Sequence, residues 1–99
     1  MTSSSPQTEN LSSATLKGIT IYPNPIVQFA TVSFSTDKAT AVKISVTDMT
    51  GKLLKTITNQ NFSEGNHEVK FNRESLPAGI FFLQLKTNDG VVMKKIMVQ

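Results

Sequence analysis

The apolar positions of this chain fall on period two rather than on a helical period. Ala30, Val32 and Phe34 alternate with Thr31, Ser33 and Ser35, and Val42, Ile44 and Val46 alternate with Lys43, Ser45 and Thr47. Such alternation puts one set of side chains on a buried face and the other in solvent, so both stretches predict strands. His67, Val69 and Phe71 alternate with Glu68 and Lys70 in the same way, and Ile80 to Lys86 is the most hydrophobic strand, with Phe81, Leu83 and Leu85 on one face. Val91 to Val98 closes the chain, with Val92, Lys94, Ile96 and Val98 sharing a face that includes one charge. Ile19 to Tyr22 is a shorter first strand, stopped by Pro23-Asn24-Pro25, where two residues lack a backbone donor. Lys52 to Thr58 is a fourth strand with Leu54 and Ile57 inward, and Leu53-Leu54 breaks the alternation as a β-bulge does.

The segments between these strands carry turn chemistry. Asp48-Met49-Thr50-Gly51 opens with Asp and closes with Gly, as a tight hairpin requires, and Asn88-Asp89-Gly90 is a second hairpin signal. Asn59 to Glu64 reads as a polar loop with Phe62 as its one apolar plug. Asn72 to Gly79 reads as a crossing loop in which Leu76 tucks under the end of the fold while Pro77 and Gly79 shape the turn. Short strands at this spacing, with no helical stripe between them, predict an all-β, seven-stranded antiparallel immunoglobulin-like β-sandwich. The expected core is Ala30, Val32, Phe34, Val42, Ile44, Val46, Val69, Phe71, Phe81, Leu83 and Leu85.

Composition adds a boundary. Residues 1–18 hold five Ser and three Thr with few large apolar side chains, a mixture that cannot offset its chain entropy by burial. We expect 1–18 to be a flexible Ser/Thr-rich linker and 19–99 to be the folded domain. A chain of 99 residues has a thin core and little room for a deep cleft. The longest apolar run, Ile80 to Leu83, is four residues, against the ~20 a membrane helix needs, so no transmembrane segment is expected. The N-terminus lacks the basic and apolar regions of a signal peptide. The absence of Cys excludes a disulfide scaffold and thiolate metal sites.

Little of the remaining chemistry converges. Ten Lys and Arg against seven Asp and Glu leave +3, and Lys94-Lys95 is the only basic doublet, so no nucleic-acid partner is expected. His67 is the sole histidine and has no HxH or HExxH companion; a partly buried, hydrogen-bonded role near a sheet end accounts for it. Asp37, Asp48 and Asp89 fall in turns, where Asp bonds the local backbone, and no clustered calcium motif is present. Neither an enzyme nor a metal or cofactor is expected.

Several segments line up in one order: Tyr22-Pro23-Asn24-Pro25; Asp48 to Lys52, with Gly51 before the lysine; Leu76 to Phe81, with Gly79 between them; and Lys94-Lys95-Ile96-Met97-Val98-Gln99. This set resembles the C-terminal sorting domain of type IX secretion cargo, the type A or Por secretion tail family, with its YPNP opening, D-x-x-G-K turn, L-x-x-G-I strand start and K-K-I-x-V terminus. The resemblance covers Ile19 to Gln99; Phe81 stands where the family often has Tyr. It implies that the domain is the tail of a larger exported Gram-negative protein, covalently linked to an N-terminal cargo. That cargo passes through the periplasm and the type IX translocon to the cell surface or beyond, and a surface sortase-like cysteine peptidase then usually removes the domain. The translocon would read Lys94, Lys95, Ile96, Met97, Val98 and Gln99. The last strand could form a sheet edge open to a partner strand, with Lys94-Lys95 serving either as a charge to be read or as protection against aggregation. The alternative is a fibronectin-like or carbohydrate-binding accessory module, which predicts an exposed aromatic or acidic binding patch, for which Tyr22, Phe62 and Phe82 are the candidates.

Overall fold

A computed structural model describes residues 15–99. They form β1 (Leu16–Tyr22), β2 (Phe29–Thr36), β3 (Thr40–Thr47), β4 (Leu53–Phe62), β5 (Gly65–Asn72), β6 (Gly79–Thr87) and β7 (Gly90–Val98). Two sheets face each other, one ordered β1-β2-β5 and the other β4-β3-β6-β7, with every strand pair antiparallel. This is the expected immunoglobulin-like β-sandwich, with the fourth strand paired to the third in the second sheet.

The period-two sets of β2, β3 and β6 meet in the middle. Val32, Val42, Ile44, Val46, Leu83 and Leu85 are completely buried, and Ala30, Phe34, Phe71 and Phe81 nearly so. Val69 is half-buried and packs against that core rather than lying inside it. Ile26, Leu16, Leu76, Ile96 and Val98 complete the core, and Ile26 is as buried as any of the described residues.

Two boundaries and one inward position differ from expectation. β1 begins at Leu16, not Ile19, and Leu16 is buried, so the folded part takes in residues assigned to the linker. The cause is an irregularity between Lys17 and Thr20 in the pairing with β2, where Gly18 adopts a φ of +61°. The extra residue shifts the inward phase from even to odd positions, so Leu16 does not share the alternation of Ile19 and Ile21. Residues 1–14, on which the rest of the linker expectation falls, lie outside the described residues.

β4 runs on to Phe62, so Asn59 to Phe62 is strand and not loop, paired with Thr40 to Lys43. The ring of Phe62 still plugs the core, edge-on to Phe34 at 5.3 Å between centroids. Leu54 is exposed rather than inward, because the register slips at two places along β3 and β4. One slip leaves Leu54 unpaired between Leu53 and Lys55, the bulge that Leu53-Leu54 predicts; the other leaves Ile57 between Thr56 and Thr58. Ile57 does pack against the core.

Candidate functional site

In an antiparallel sandwich the odd-numbered connections lie at one end. The β1–β2 connection, the β3–β4 hairpin, the β5–β6 loop and the C-terminal end of β7 therefore share an end, and all four segments singled out in the sequence are there. Each is held by a specific set of bonds.

The β3–β4 hairpin is organised by Asp48. Its carboxylate accepts the backbone N–H of Thr50 at 2.8 Å, the Thr50 hydroxyl at 2.6 Å and the backbone N–H of Lys52 at 3.0 Å. The Thr50 hydroxyl bond, then the bond from the Lys52 backbone, hold the Asp48 carboxyl below the usual carboxylate range. Gly51 sits at φ +92°, a conformation that a side chain strains. Asp48 and Gly51 are thus fully occupied in building the turn, and the Lys52 side chain projects into solvent.

The Pro23–Gln28 segment closes the edge of β7. Asn24 Oδ1 accepts the Met97 backbone N–H at 3.0 Å, and the Ile26 N–H donates to the Met97 carbonyl at 2.7 Å. The Gln99 N–H donates to the Ile26 carbonyl at 2.8 Å, so Ile26 forms a parallel bridge to the last turn of β7 while its side chain fills the core. The peptide bonds before Pro23 and Pro25 are both cis.

Arg73, in the β5–β6 loop, ties these pieces together. Its guanidinium donates to the Leu76 carbonyl at 3.0 Å, to the Val27 carbonyl at 3.0 Å and to the Gln99 carbonyl. Leu76 is buried beneath this clasp, as its expected tuck requires, and Gly79 and Phe81 open β6, with Phe81 in the core. Sequence reasoning missed Arg73 and Ile26. Neither carries an isolated signal, although an arginine beside carbonyl-rich loop ends and an isoleucine directly after Pro25 are consistent with these roles.

The six C-terminal residues do not form one surface. Ile96 and Val98 are buried in the core, Met97 is exposed but its backbone groups are taken, and the Gln99 side chain is exposed. Lys94 and Lys95 are both exposed, but successive strand residues point to opposite faces, so the doublet is two separate charges. β7 is an outer strand, as expected, yet its final residues are not a free edge.

The aromatic patch of the alternative reading is only partly present. Tyr22 is 47% exposed, and its hydroxyl donates to Glu68 at 3.0 Å, which raises the phenol above its ordinary range. Phe62 and Phe82 are half-buried. Tyr22 instead borders a cleft of about 400 Å³ with Phe29, which is exposed.

The opposite end carries different chemistry. His67 packs against Phe34 and Phe62 and bonds the Ser63 carbonyl at 2.6 Å, the partly buried role expected of it. Asp89 does more than shape its own hairpin: its carboxylate also accepts the Thr15 N–H at 3.1 Å and the Thr15 hydroxyl at 2.8 Å, pinning the start of the described chain. Among the described residues no group of three or more His, Cys, Asp or Glu could hold a metal, and no helix is long and apolar enough to cross a membrane.

Comparison with known proteins gives one result. The family model for the secretion system C-terminal sorting domain matches residues 20–99, the span that contains all four motif segments. No curated protein and no solved structure matches. Sorting domains of this kind are not catalytic; they associate with the type IX machinery and an N-terminal cargo and imply export across the outer membrane to the cell surface or extracellular space. With the match covering most of the chain, and the motif segments gathered at one end of the expected sandwich, the chain belongs to the secretion system C-terminal sorting domain family, the sorting signal of type IX secretion.

Proposed function

We propose that this domain is read by the type IX translocon as a folded unit, through the end of the sandwich that holds the C-terminal half of β7, and that the cargo is then cut from it ahead of Thr15. The observation that carries the reading is the joint placement of the motif segments: Asn24, Ile26 and Arg73 all converge on the backbone of Met97 to Gln99. A signal that must survive folding needs a rigid presentation, and bonds from three separate segments tie this end together.

Within Lys94 to Gln99 the exposed elements are the two lysines and the side chains of Met97 and Gln99. Ile96 and Val98 serve recognition indirectly, by anchoring the strand. Separation from the cargo by a sortase-like cysteine peptidase, followed by surface anchoring, is the fate that fits such a domain. A peptidase needs extended, unpaired chain in its cleft, and between Leu16 and Val98 the connections outside the strands are at most six residues long.

The test is to place all 99 residues behind a periplasmic reporter in a host that has the translocon. The expected result is export of the reporter, and its loss when Lys94 to Gln99 are deleted. Retention of normal export by that deletion contradicts the reading. Mass spectrometry of the exported reporter should map its new C-terminus ahead of Thr15; a cut inside β3 to β6 contradicts it equally.

A further inference from the structure

The backbone of β7 divides into a closed part and an open part. In an antiparallel ladder alternate residues turn both backbone groups away from the partner strand. Met97 turns its N–H and carbonyl outward to Asn24 and Ile26. The register with β6 runs without a slip from Gly79↔Val98 to Thr87↔Gly90, so Lys95, Met93 and Val91 turn outward as well. No described residue bonds their outward groups. The other outer strand of this sheet, β4, is interrupted by two register slips, the usual defence of an edge against pairing. The open part of β7 is straight and undefended except by its lysines.

The charge on the strands of this sheet has one sign. The strands of the four-stranded sheet carry Lys43, Lys55, Lys86, Lys94 and Lys95 and no Asp or Glu. Lys43 lies directly opposite Lys86, a like-charge pair that costs stability. Lys55 is paired to Glu74, but neither Lys94 nor Lys95 has a carboxylate within 4.0 Å among the described residues. Because they sit on opposite faces, one lysine stands above the open edge and one below it. At the boundary between open and closed parts is a notch of about 240 Å³ lined by Asn24, Pro25, Lys95, Ile96 and Met97.

We propose that Val91 to Lys95 is a docking edge for an extended, carboxylate-bearing strand of a partner protein, which adds to β7 and stops at the Asn24–Ile26 cap with its last side chain in the notch. This rests on the sorting reading and names the kind of partner segment that would read the domain. Main-chain bonds at Val91, Met93 and Lys95 supply affinity, and carboxylates flanking Lys94 and Lys95 supply selectivity. A second copy of this chain is disfavoured as the occupant, since it would bring a lysine sheet against a lysine sheet.

The test uses the full chain and two short capped peptides, one alternating valine with glutamate and one alternating valine with lysine. The valine–glutamate peptide should slow amide exchange at Val91, Met93 and Lys95, and the valine–lysine peptide should not. Met93→Pro removes one outward N–H and no internal bond, a substitution that edge strands accept. It should weaken the peptide roughly tenfold or more while the domain stays folded. Absence of protection, equal protection by both peptides, or protection at β4 instead overturns the proposal, whatever the variant does. In the reporter host, loss of export by folded Met93→Pro supports it. Normal export by Met93→Pro with loss on deleting Lys94 to Gln99 overturns the docking edge and leaves the sorting function standing. Normal export by both overturns the sorting function itself.

Discussion

The two ends of the sandwich are built by different means. At the motif end bonds onto the backbone hold the chain: the Arg73 side chain spans three carbonyls, the Asn24 side chain stands in for a strand residue, and the Ile26 backbone bridges to β7. At the end where the described chain begins, Phe34, Phe62 and His67 pack on one another as a ring cluster, and Asp89 accepts the Thr15 N–H and hydroxyl beside a backbone bond from the Asp37 N–H to the Thr15 carbonyl. Backbone bonds fix the path of a strand regardless of side-chain identity, whereas a ring cluster fixes a core and leaves the chain path free to vary. A surface that must be presented to a partner in one shape gains from the first arrangement. An end that only has to join a cargo can rely on the second.

The contrast can be broken most forcefully at Ile26. Ile26→Ala should cost about 2–5 kcal/mol in denaturant unfolding, the range for emptying a fully buried isoleucine site. It should also expose the Met97 and Gln99 amides to hydrogen exchange ahead of global unfolding. Arg73→Lys keeps the charge but loses the fork that reaches three carbonyls, and should cost about 1–2 kcal/mol with the same local fraying. Thr15→Val removes one hydroxyl bond to Asp89 at the opposite end; about 0.5–1.5 kcal/mol is expected, with exchange at Met97 and Gln99 unchanged.

The smallest effect concerns acid. Because the Thr50 hydroxyl and the Lys52 backbone hold the Asp48 carboxyl below its ordinary range, its contribution is complete above the unfolded value of about 3.9 and is lost as pH falls through the folded value. The stability difference between the wild-type chain and Asp48→Asn should therefore shrink on acidification below that point, measured by urea unfolding across pH. A difference that stays constant with pH would remove Asp48 from the account of the turn.

Much of this was legible in the residues. The alternations of Ala30–Val32–Phe34 and Val42–Ile44–Val46 name their own buried face, and Leu53-Leu54 announces its bulge, because period two leaves no other arrangement. Leu16 was not legible, since the irregularity at Gly18 breaks the phase that would have revealed it. Asn59 to Asn61 are polar on both faces of an outer strand, so pairing with β3 and not burial makes them strand. At the candidate site the motif segments were visible as separate pieces along the chain. Their convergence depends on Arg73 and Ile26, whose roles arise from bonds to carbonyls and amides that any residue type presents. Lys94-Lys95 looks like one basic patch in a linear sequence and becomes two faces only once the strand is formed.

That the address lies on β7, and not in the positive charge of the domain as a whole, is tested most directly by comparing export of two double variants in the reporter host. Lys94→Ala with Lys95→Ala removes two exposed lysines from β7, and Lys17→Ala with Lys38→Ala removes two exposed lysines from the opposite end. Both should melt close to the parent, since exposed substitutions usually stay within about 0.5 kcal/mol and a surface ion pair such as Lys17–Asp37 adds little. The β7 variant should lose export while the other keeps it; equal export by the two variants, at any level, would contradict an address on β7.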